Sequence, residues 1–457
     1  MTNLRPQECV CSSEGDVGRD RLSEMPDEVL VNILSFMETL DAVSTVLLRR
    51  FGNLWTLIHN LEFDTYYVRE GKAWIRRFVR NVLMLHQKPS IDSFVLYVDF
   101  DNENEDEIDE AANEIKIWFR FALEKQAKEI TLSNLSTLNK RFCTSFLPKL
   151  TSQFLVTLDL AYCKIDREVQ VKLGSLKKLS LTYVYLDDEI FQSFISGCPS
   201  LQELVIGYPF GMTDLSFSSP NIDKLSLVFD VEFHGEHSLA LNTPNLRSLY
   251  LNIYMNGVDI IDTRGVHIVD VSSVRDIYIV CNLPSMSADK AIPFTTKLLE
   301  KIEGVEVFRL SLYFSKIFLR VIQNLQLNRW KRIVLELDDF RESYLLGIYH
   351  LMRSLKHFEE LIIYTTEDFK ASTDLQQVEL SPPYVPPQLK TITLHGYGKT
   401  WKSQLLLIES LLKSAAVLDK FVIIPMKHQL KEADELEFVK QVSSLPKASS
   451  SARVIFA

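Results

Sequence analysis

The sequence predicts an α/β architecture: a small helical unit followed by a long ladder of parallel strands with helices on its convex side. Three observations predict it. First, a short phrase (apolar, two residues, apolar, one residue, apolar) recurs thirteen times between Ile91 and Ile423. Its cores are Phe94-Val-Leu96, Ile130-Thr-Leu132, Leu158-Asp-Leu160, Leu179-Ser-Leu181, Leu204-Val-Ile206, Leu225-Ser-Leu227, Leu249-Tyr-Leu251, Ile277-Tyr-Ile279, Phe308-Arg-Leu310, Ile333-Val-Leu335, Leu361-Ile-Ile363, Ile392-Thr-Leu394 and Phe421-Val-Ile423. Successive cores lie 21 to 36 residues apart. A fixed phrase at a period of about 20 to 30 residues marks a leucine-rich-repeat solenoid. Second, proline stands two residues before the first apolar residue of four phrases, in Pro199-Ser-Leu201, Pro220-Asn-Ile222, Pro244-Asn-Leu246 and Pro387-Gln-Leu389. Proline there stops a preceding helix and sets an extended path into a strand. Third, several intervals between phrases carry one apolar helical face, as a helix packed on a strand layer requires.

Taken in chain order, residues 1–19 are polar, with Gly15 and Gly18, and are expected to be disordered. A compact helical unit spans 20–64. Pro26 opens its first helix, and Asp27 and Glu28 follow at the positive end of the dipole. Val29, Leu30, Ile33, Leu34 and Met37 recur at helical spacing, and Val43, Val46, Leu47, Phe51, Leu54, Trp55 and Ile58 form a second apolar set. So small a unit sits at the limit of independent stability. A helical pattern runs from Tyr66 to Lys88, and an acidic loop from Asp99 to Glu110 leads into a helix faced by Ile108, Ala111, Ile115, Phe119 and Ala122. The repeats occupy 65–380, and 381–442 complete the solenoid. Return helices are expected around Ile190–Ile195, Leu345–Leu355 and Leu405–Ala415. The final stretch, 443–457, is expected to fray.

Composition narrows the function. The formal net charge is −10, which argues against a general nucleic-acid binder and against anionic membranes. Six cysteines, at 9, 11, 143, 163, 198 and 281, follow no framework and fit a reducing compartment, the cytoplasm or nucleus. No uninterrupted apolar stretch is long enough to span a membrane, and the N-terminus has no apolar leader segment.

Two segments carry a family resemblance. The run DRLSEMPDEVLVNILSFMETLDAVSTVLLRRFGNLWTLIHNLEFD, Asp20 to Asp64, resembles the F-box that opens plant F-box, leucine-rich-repeat and FBD proteins. The run VPPQLKTITLHGYGKTWKSQLLLIESLLKSAAVLDKFVII, Val385 to Ile424, resembles the FBD domain of the same family, here 381–442. The resemblance implies a non-catalytic substrate receptor of an SCF-type ubiquitin ligase. Its F-box docks a Skp-family adaptor, and through it a cullin, while the repeats hold the target protein. It also implies that Met25, Pro26, Val29, Leu30, Ile33 and Leu34 form part of the adaptor-binding surface. The chain departs from the pattern where Glu38 replaces a usual proline, where Arg50-Phe51 replaces Arg-Trp, and where the second helix is one residue short. One deleted residue rotates the remainder of a helix by about 100° unless a local irregularity absorbs it. A repeat scaffold that does not engage the ligase is therefore the alternative. A receptor for a small hormone has only the architecture in its favour.

Motifs for chemistry are incomplete. His395-Gly-Tyr-Gly-Lys-Thr400 ends like a phosphate loop but has Thr393 where the first glycine belongs. Asp99, Asp101, Glu103 and Glu105 alternate like a calcium loop without its glycine or closing glutamate. His234-Gly-Glu-His237 needs a helix that Gly235 opposes, and Cys9 and Cys11 lack further nearby ligands. No cofactor or metal is expected, and no cysteine is marked as a nucleophile. The target is expected on the concave strand face, where residues beside the paired leucines point outward. Tyr250, Asn252, Tyr278, Arg309, Ser311 and Tyr364 fall there in the middle repeats. Tyrosine and arginine are the side chains that most often anchor interfaces.

Overall fold

The computed structural model describes residues 22, 24–64, 72–98, 105–134, 149–212, 215–230, 239–254, 266–270, 273–282, 305–311, 330–337, 355, 357–365, 388–397, 401–425 and 432–457. They fall into two compact units, Met1–Ser136 and Thr137–Ala457. The expected disorder of 1–19, the His234 and His237 pair, Cys9 and Cys11, and the return helix at 345–354 lie outside the described residues.

In the first unit, helix α1 (Asp27–Leu34) and helix α2 (Thr39–Ser44) precede strand β1 (Asn60–Asp64). Then come helix α3 (Lys72–Leu85), strand β2 (Ser93–Val98), helix α4 (Glu105–Glu124) and strand β3 (Glu129–Asn134). The three strands are parallel, with Leu61 opposite Phe94 and Phe94 opposite Ile130. The ladder thus begins one strand earlier than the thirteen phrases indicate. Ile58-His-Asn-Leu61-Glu-Phe63 is the same phrase, inside the segment assigned to the F-box, and its three apolar side chains are buried. Helices α1 and α2 pack on this strand. The hydroxyl of Ser35 accepts from the His59 N–H at 2.9 Å, and that of Thr39 accepts from the Glu62 N–H at 2.7 Å. Both hydroxyl residues are buried, so the small helical unit completes its core on β1.

The second helix is interrupted. The α-helical turn ends at Ser44, a 3-10 turn covers Thr45–Leu47, and Leu48 is extended. This is the local irregularity that the missing residue calls for. Glu38 is the N-cap of α2 with φ −55°, an angle that proline also takes, so the exchange leaves the backbone unaltered. Arg50 donates to the Met25 carbonyl at 2.9 Å and pairs with Asp27 at 2.6 Å, tying the end of the unit to its beginning.

In the second unit, twelve parallel strands follow one another: β5 (Thr157–Ala161), β7 (Lys178–Thr182), β8 (Glu203–Gly207), β10 (Lys224–Asp230), β12 (Ser248–Tyr254), β14 (Asp276–Asn282), β15 (Val307–Ser311), β16 (Arg332–Leu337), β17 (Glu360–Thr365), β18 (Thr391–Tyr397), β19 (Lys420–Pro425) and β20 (Arg453–Phe456). Register follows the phrase: Leu158, Leu179, Leu204, Leu225, Leu249, Ile277, Phe308, Ile333, Leu361, Ile392 and Phe421 each face the next. The leading apolar residues, from Leu155 through Trp330 to Leu418, are at most 1% exposed. Burying each aliphatic side chain of the phrase is worth roughly 1.5–3 kcal/mol. One carbonyl per repeat accepts two consecutive N–H groups of the next repeat. Those of Lys177, Gln202, Asp223, Arg247, Arg275, Glu306, Lys331, Glu359 and Lys390 do so at 2.8–3.1 Å. Asparagines of the Pro-Asn pairs add side-chain rungs, Asn221 to the Pro199 carbonyl and Asn245 to the Pro220 carbonyl, each at 2.7 Å.

Two expectations are corrected. The stretch 443–457 does not fray as a whole: β20 pairs in register with β19, and helix α7 (Glu432–Ser444) packs Phe438 against Phe456. The return segments are also not uniformly helical. Helix α5 (Asp188–Gly197) and helix α6 (Trp401–Ser414) bury their expected faces, Ile190, Phe191 and Phe194 in one, Ile408, Leu411 and Leu412 in the other. Several other returns of the second unit are extended. Strands β4 (Lys149–Thr151) and β6 (Gln170–Lys172) form one small parallel sheet. Strands β9 (Phe217–Ser218), β11 (Leu239–Asn242) and β13 (Val266–Asp270) form another. The 21-residue intervals have no room for a helical return, because a strand gains about 3.3 Å per residue against about 1.5 Å for a helix.

Helix α5 ends where space is tightest. A Cβ at Gly197 would lie 2.3 Å from the Val171 carbonyl oxygen, and the Gly197 carbonyl accepts from the Leu173 N–H at 2.9 Å. Gly197→Ala is expected to destabilise the second unit by about 2 kcal/mol, read as a lower urea midpoint. An unchanged midpoint would show that this return yields without cost.

Candidate functional site

Two surfaces stand out, one in each unit. On α1, Val29 (41% exposed) and Ile33 (39%) fall at i and i+4 and make an outward apolar stripe, and Phe36 (89%) is exposed in the turn that follows the helix. Leu47 (88%) and Leu48 (55%) add apolar surface from the 3-10 turn and the residue after it. Of the six residues assigned to adaptor docking, Pro26, Val29 and Ile33 are exposed and Met25 is half-buried. Leu30 and Leu34, at 0% and 1% exposure, are buried in the core. Helical geometry turns them about 100° from the stripe, so they hold the helix in place without offering a contact surface.

In the second unit, outward residues of successive strands stand side by side. Tyr250 and Tyr278 are register neighbours with ring centres 5.0 Å apart, edge to face. The Tyr278 hydroxyl donates to Glu336 Oε1 at 2.7 Å, and Asn252 Nδ2 donates to the Tyr250 hydroxyl at 3.3 Å. Burial pushes both phenols up; at Tyr278 the bond to the Glu336 carboxylate adds to the effect. Arg309, next in register, lies 3.6 Å from the Asp276 carboxylate. Tyr364, the register neighbour of Glu336, stacks on His395 at 4.3 Å, where burial lowers the imidazole's pKa. The side chain of Ser311 lies outside the described residues. The strand face thus joins Tyr250, Asn252 and Tyr278 to Glu336, which was not anticipated; 58 residues separate Tyr278 from it.

A second feature escaped the sequence reading. Tyr162, Tyr183 and Tyr208 each stand two residues beyond the last leucine or isoleucine of a phrase. Their φ angles are 54°, 52° and 46°, left-handed values that bulky residues seldom adopt. Their rings stack face to face, 4.5 Å apart for Tyr162 with Tyr183 and 4.3 Å for Tyr183 with Tyr208. Each N–H reaches the next repeat, at the carbonyls of Thr182, Gly207 and Val228, which holds the turn in place. The threefold spacing of tyrosine after the phrase was the signal for it.

Chemistry on this scaffold is unsupported by the described side chains. Burial raises the Cys163 thiol far above its usual range and pushes Cys198 up to about 12, so neither is a ready thiolate. Among the described residues no group of three or more His, Cys, Asp or Glu could hold a metal ion, and no helix is long and apolar enough to cross a membrane. The phosphate-loop-like stretch places His395 to Tyr397 in β18, with Gly396 at φ 93°; 398–400 lie outside the described residues.

A parallel ladder built on this repeated phrase defines a leucine-rich-repeat protein. Comparison with known proteins agrees. Residues 115–275 match the family model described as FBD-associated F-box protein At5g56370, LRR repeats. The F-box/FBD/LRR-repeat protein At3g26920 of Arabidopsis thaliana is 27% identical over the whole of both chains. The F-box/FBD/LRR-repeat protein At4g26340 of the same plant is 31% identical over 51% of this chain and 54% of its own length. The putative F-box/LRR-repeat protein At4g15060 of A. thaliana is 25% identical over 81% of this chain and 85% of its own. The chain is thus similar to plant F-box/FBD/leucine-rich-repeat proteins.

Proposed function

We propose that this protein is the substrate-recognition subunit of an SCF-type ubiquitin ligase. The F-box docks a Skp-family adaptor and, through it, a cullin; the outward strand face of the repeats holds the target protein. The chain supplies proximity and orientation, and the transfer of ubiquitin belongs to other subunits. It works in the cytoplasm or the nucleus. The observation that carries this reading is the α1 stripe. Val29 and Ile33 are turned outward together, with Phe36 exposed in the turn after them, while Leu30 and Leu34 anchor the same helix from behind. A lone helix does not leave such a stripe uncovered without a partner to bury it. A second reading, a repeat scaffold that does not engage the ligase, is favoured by the break of α2 at Ser44.

Co-purification of the intact chain with a Skp-family adaptor separates the two, since the scaffold reading expects no adaptor. The target side has its own test. Tyr278→Ala removes the ring packed on Tyr250 and frees Glu336, and is expected to weaken target capture about tenfold. Adaptor recovery should not change. Target capture equal to that of the unaltered protein would remove Tyr278 from the target-binding face.

A further inference from the structure

The first and last strands of the ladder end differently. Beside β1, the Thr39 hydroxyl accepts from the Glu62 N–H at 2.7 Å, and the Asn60 side chain donates to the Ser35 carbonyl at 2.9 Å. Beyond β20 no further strand stands among the described residues. The N–H groups of Arg453 and Ala457 reach back to the Asp419 and Ile423 carbonyls, both at 3.0 Å. Backbone groups alternate sides along a strand, so Val454 and Phe456 aim their N–H and C=O groups at the open edge. Their side chains are only half-buried, whereas their register partners in β19, Phe421 and Ile423, are fully buried. Ile455, on the other face of the strand, is 38% exposed. The start of the edge is occupied: the Ala452 N–H donates to the Ser449 carbonyl at 3.3 Å, and the Lys447 ammonium donates to the Ala452 carbonyl at 3.4 Å. An open strand edge of apolar alternation is a template for another strand.

We propose that β20 pairs with β20 of a second copy of this chain, antiparallel, about a two-fold axis at Ile455. In this register Val454 stands opposite Phe456 of the second copy, and each such pair exchanges both N–H···O bonds. Ile455 stands opposite its own equivalent, and Arg453 opposite Ala457. Apolar side chains therefore meet apolar ones on both faces, and no like charges are set directly opposite. A register centred on Val454 would call on the backbone of Ala452, which Ser449 and Lys447 already hold, and is disfavoured. The match follows from symmetry: one strand supplies both halves of a self-complementary contact. Because each copy spends its β20 edge on the other, the pairing closes at two.

The test is analytical ultracentrifugation of the full-length chain from about 1 to 100 μM, the range suited to so short an interface. A reversible monomer–dimer equilibrium is expected. Val454→Pro removes an N–H that faces the open edge and spares the bonds to β19, and should weaken the dimer at least about tenfold. Ile455→Lys should weaken it as much by setting two ammonium groups face to face, and Ile455→Glu likewise with two carboxylates. Ile455 is exposed, so these two variants keep the fold even where proline disturbs it. An equimolar mixture of Ile455→Lys and Ile455→Glu chains should recover the dimer, because only a two-fold contact at this residue brings the two charges together. A chain that stays monomeric over the whole range overturns the proposal. So does a dimer that Ile455→Lys leaves intact, or a mixture no more associated than its components. A monomer that captures a foreign partner through an edge blocked by Val454→Pro would assign β20 to that partner's strand, and also overturns it.

Discussion

Val29→Asp combined with Ile33→Asp is expected to abolish recovery of a Skp-family adaptor with the chain while leaving its folding transition in place. Both side chains are about two-fifths exposed, so the folded chain loses little when they change. In a complex the same two positions would be buried. Each then contributes up to about 1.5–3 kcal/mol of apolar burial, and a carboxylate in its place adds several kcal/mol of desolvation cost. Binding should weaken by at least about a hundredfold, or roughly 3 kcal/mol. Leu30→Asp is the instructive contrast. Leu30 is fully buried, and a charge there is expected to unfold the F-box helices, so lost adaptor binding would say nothing about the surface. Adaptor recovery is read by co-purification and folding by a circular-dichroism melt. Full recovery of the double variant would remove the α1 stripe as the docking face. A melt as weak as that of Leu30→Asp would show that the two side chains support the core instead.

How much of this was visible in the sequence depends on what a residue is constrained by. The ladder was legible because each phrase answers to two demands at once. Its leucines must alternate inward at spacing two, and they must meet the equivalent residues of the repeats on either side. Leu158, Leu179 and Leu204 therefore announce both the strands and their register. Two strands were missed at the ends. Leu61 and Phe63 carry the full phrase but follow directly on F-box helices, and Val454 and Phe456 carry only its second half in a serine-rich stretch. Candidate surfaces were less legible. Helical spacing grouped Val29 with Leu30, and Ile33 with Leu34, because both members of each pair are aliphatic; only the position of β1 tells which side is core. The bond from Tyr278 to Glu336 spans two strands, and nothing local in either phrase marks it. The left-handed tyrosines are a backbone property. Side-chain patterns reveal that they recur, but not the conformation that stacks them.

That conformation supports the second large prediction, made at Tyr183. Its φ of 52° costs a non-glycine residue about 1–2 kcal/mol. Its ring repays this through two stacks, to Tyr162 and Tyr208, each worth about 0.5–1.5 kcal/mol beyond area burial. Tyr183→Ala keeps the backbone strain and loses both stacks together with the buried ring area, and is expected to destabilise the second unit by about 3 kcal/mol. Tyr183→Gly loses the same contacts but releases the strain, and should be milder by about 1–2 kcal/mol. Urea titration of the two variants measures the difference. Equal loss would mean that the left-handed turn is not strained. A smaller loss with glycine would show that the ladder could have a more relaxed turn at this position, yet keeps a strained tyrosine there and in the repeats on both sides. Strain retained three times along one edge, for contacts that barely offset it, is explained by what the rings present to a partner more readily than by what they add to stability.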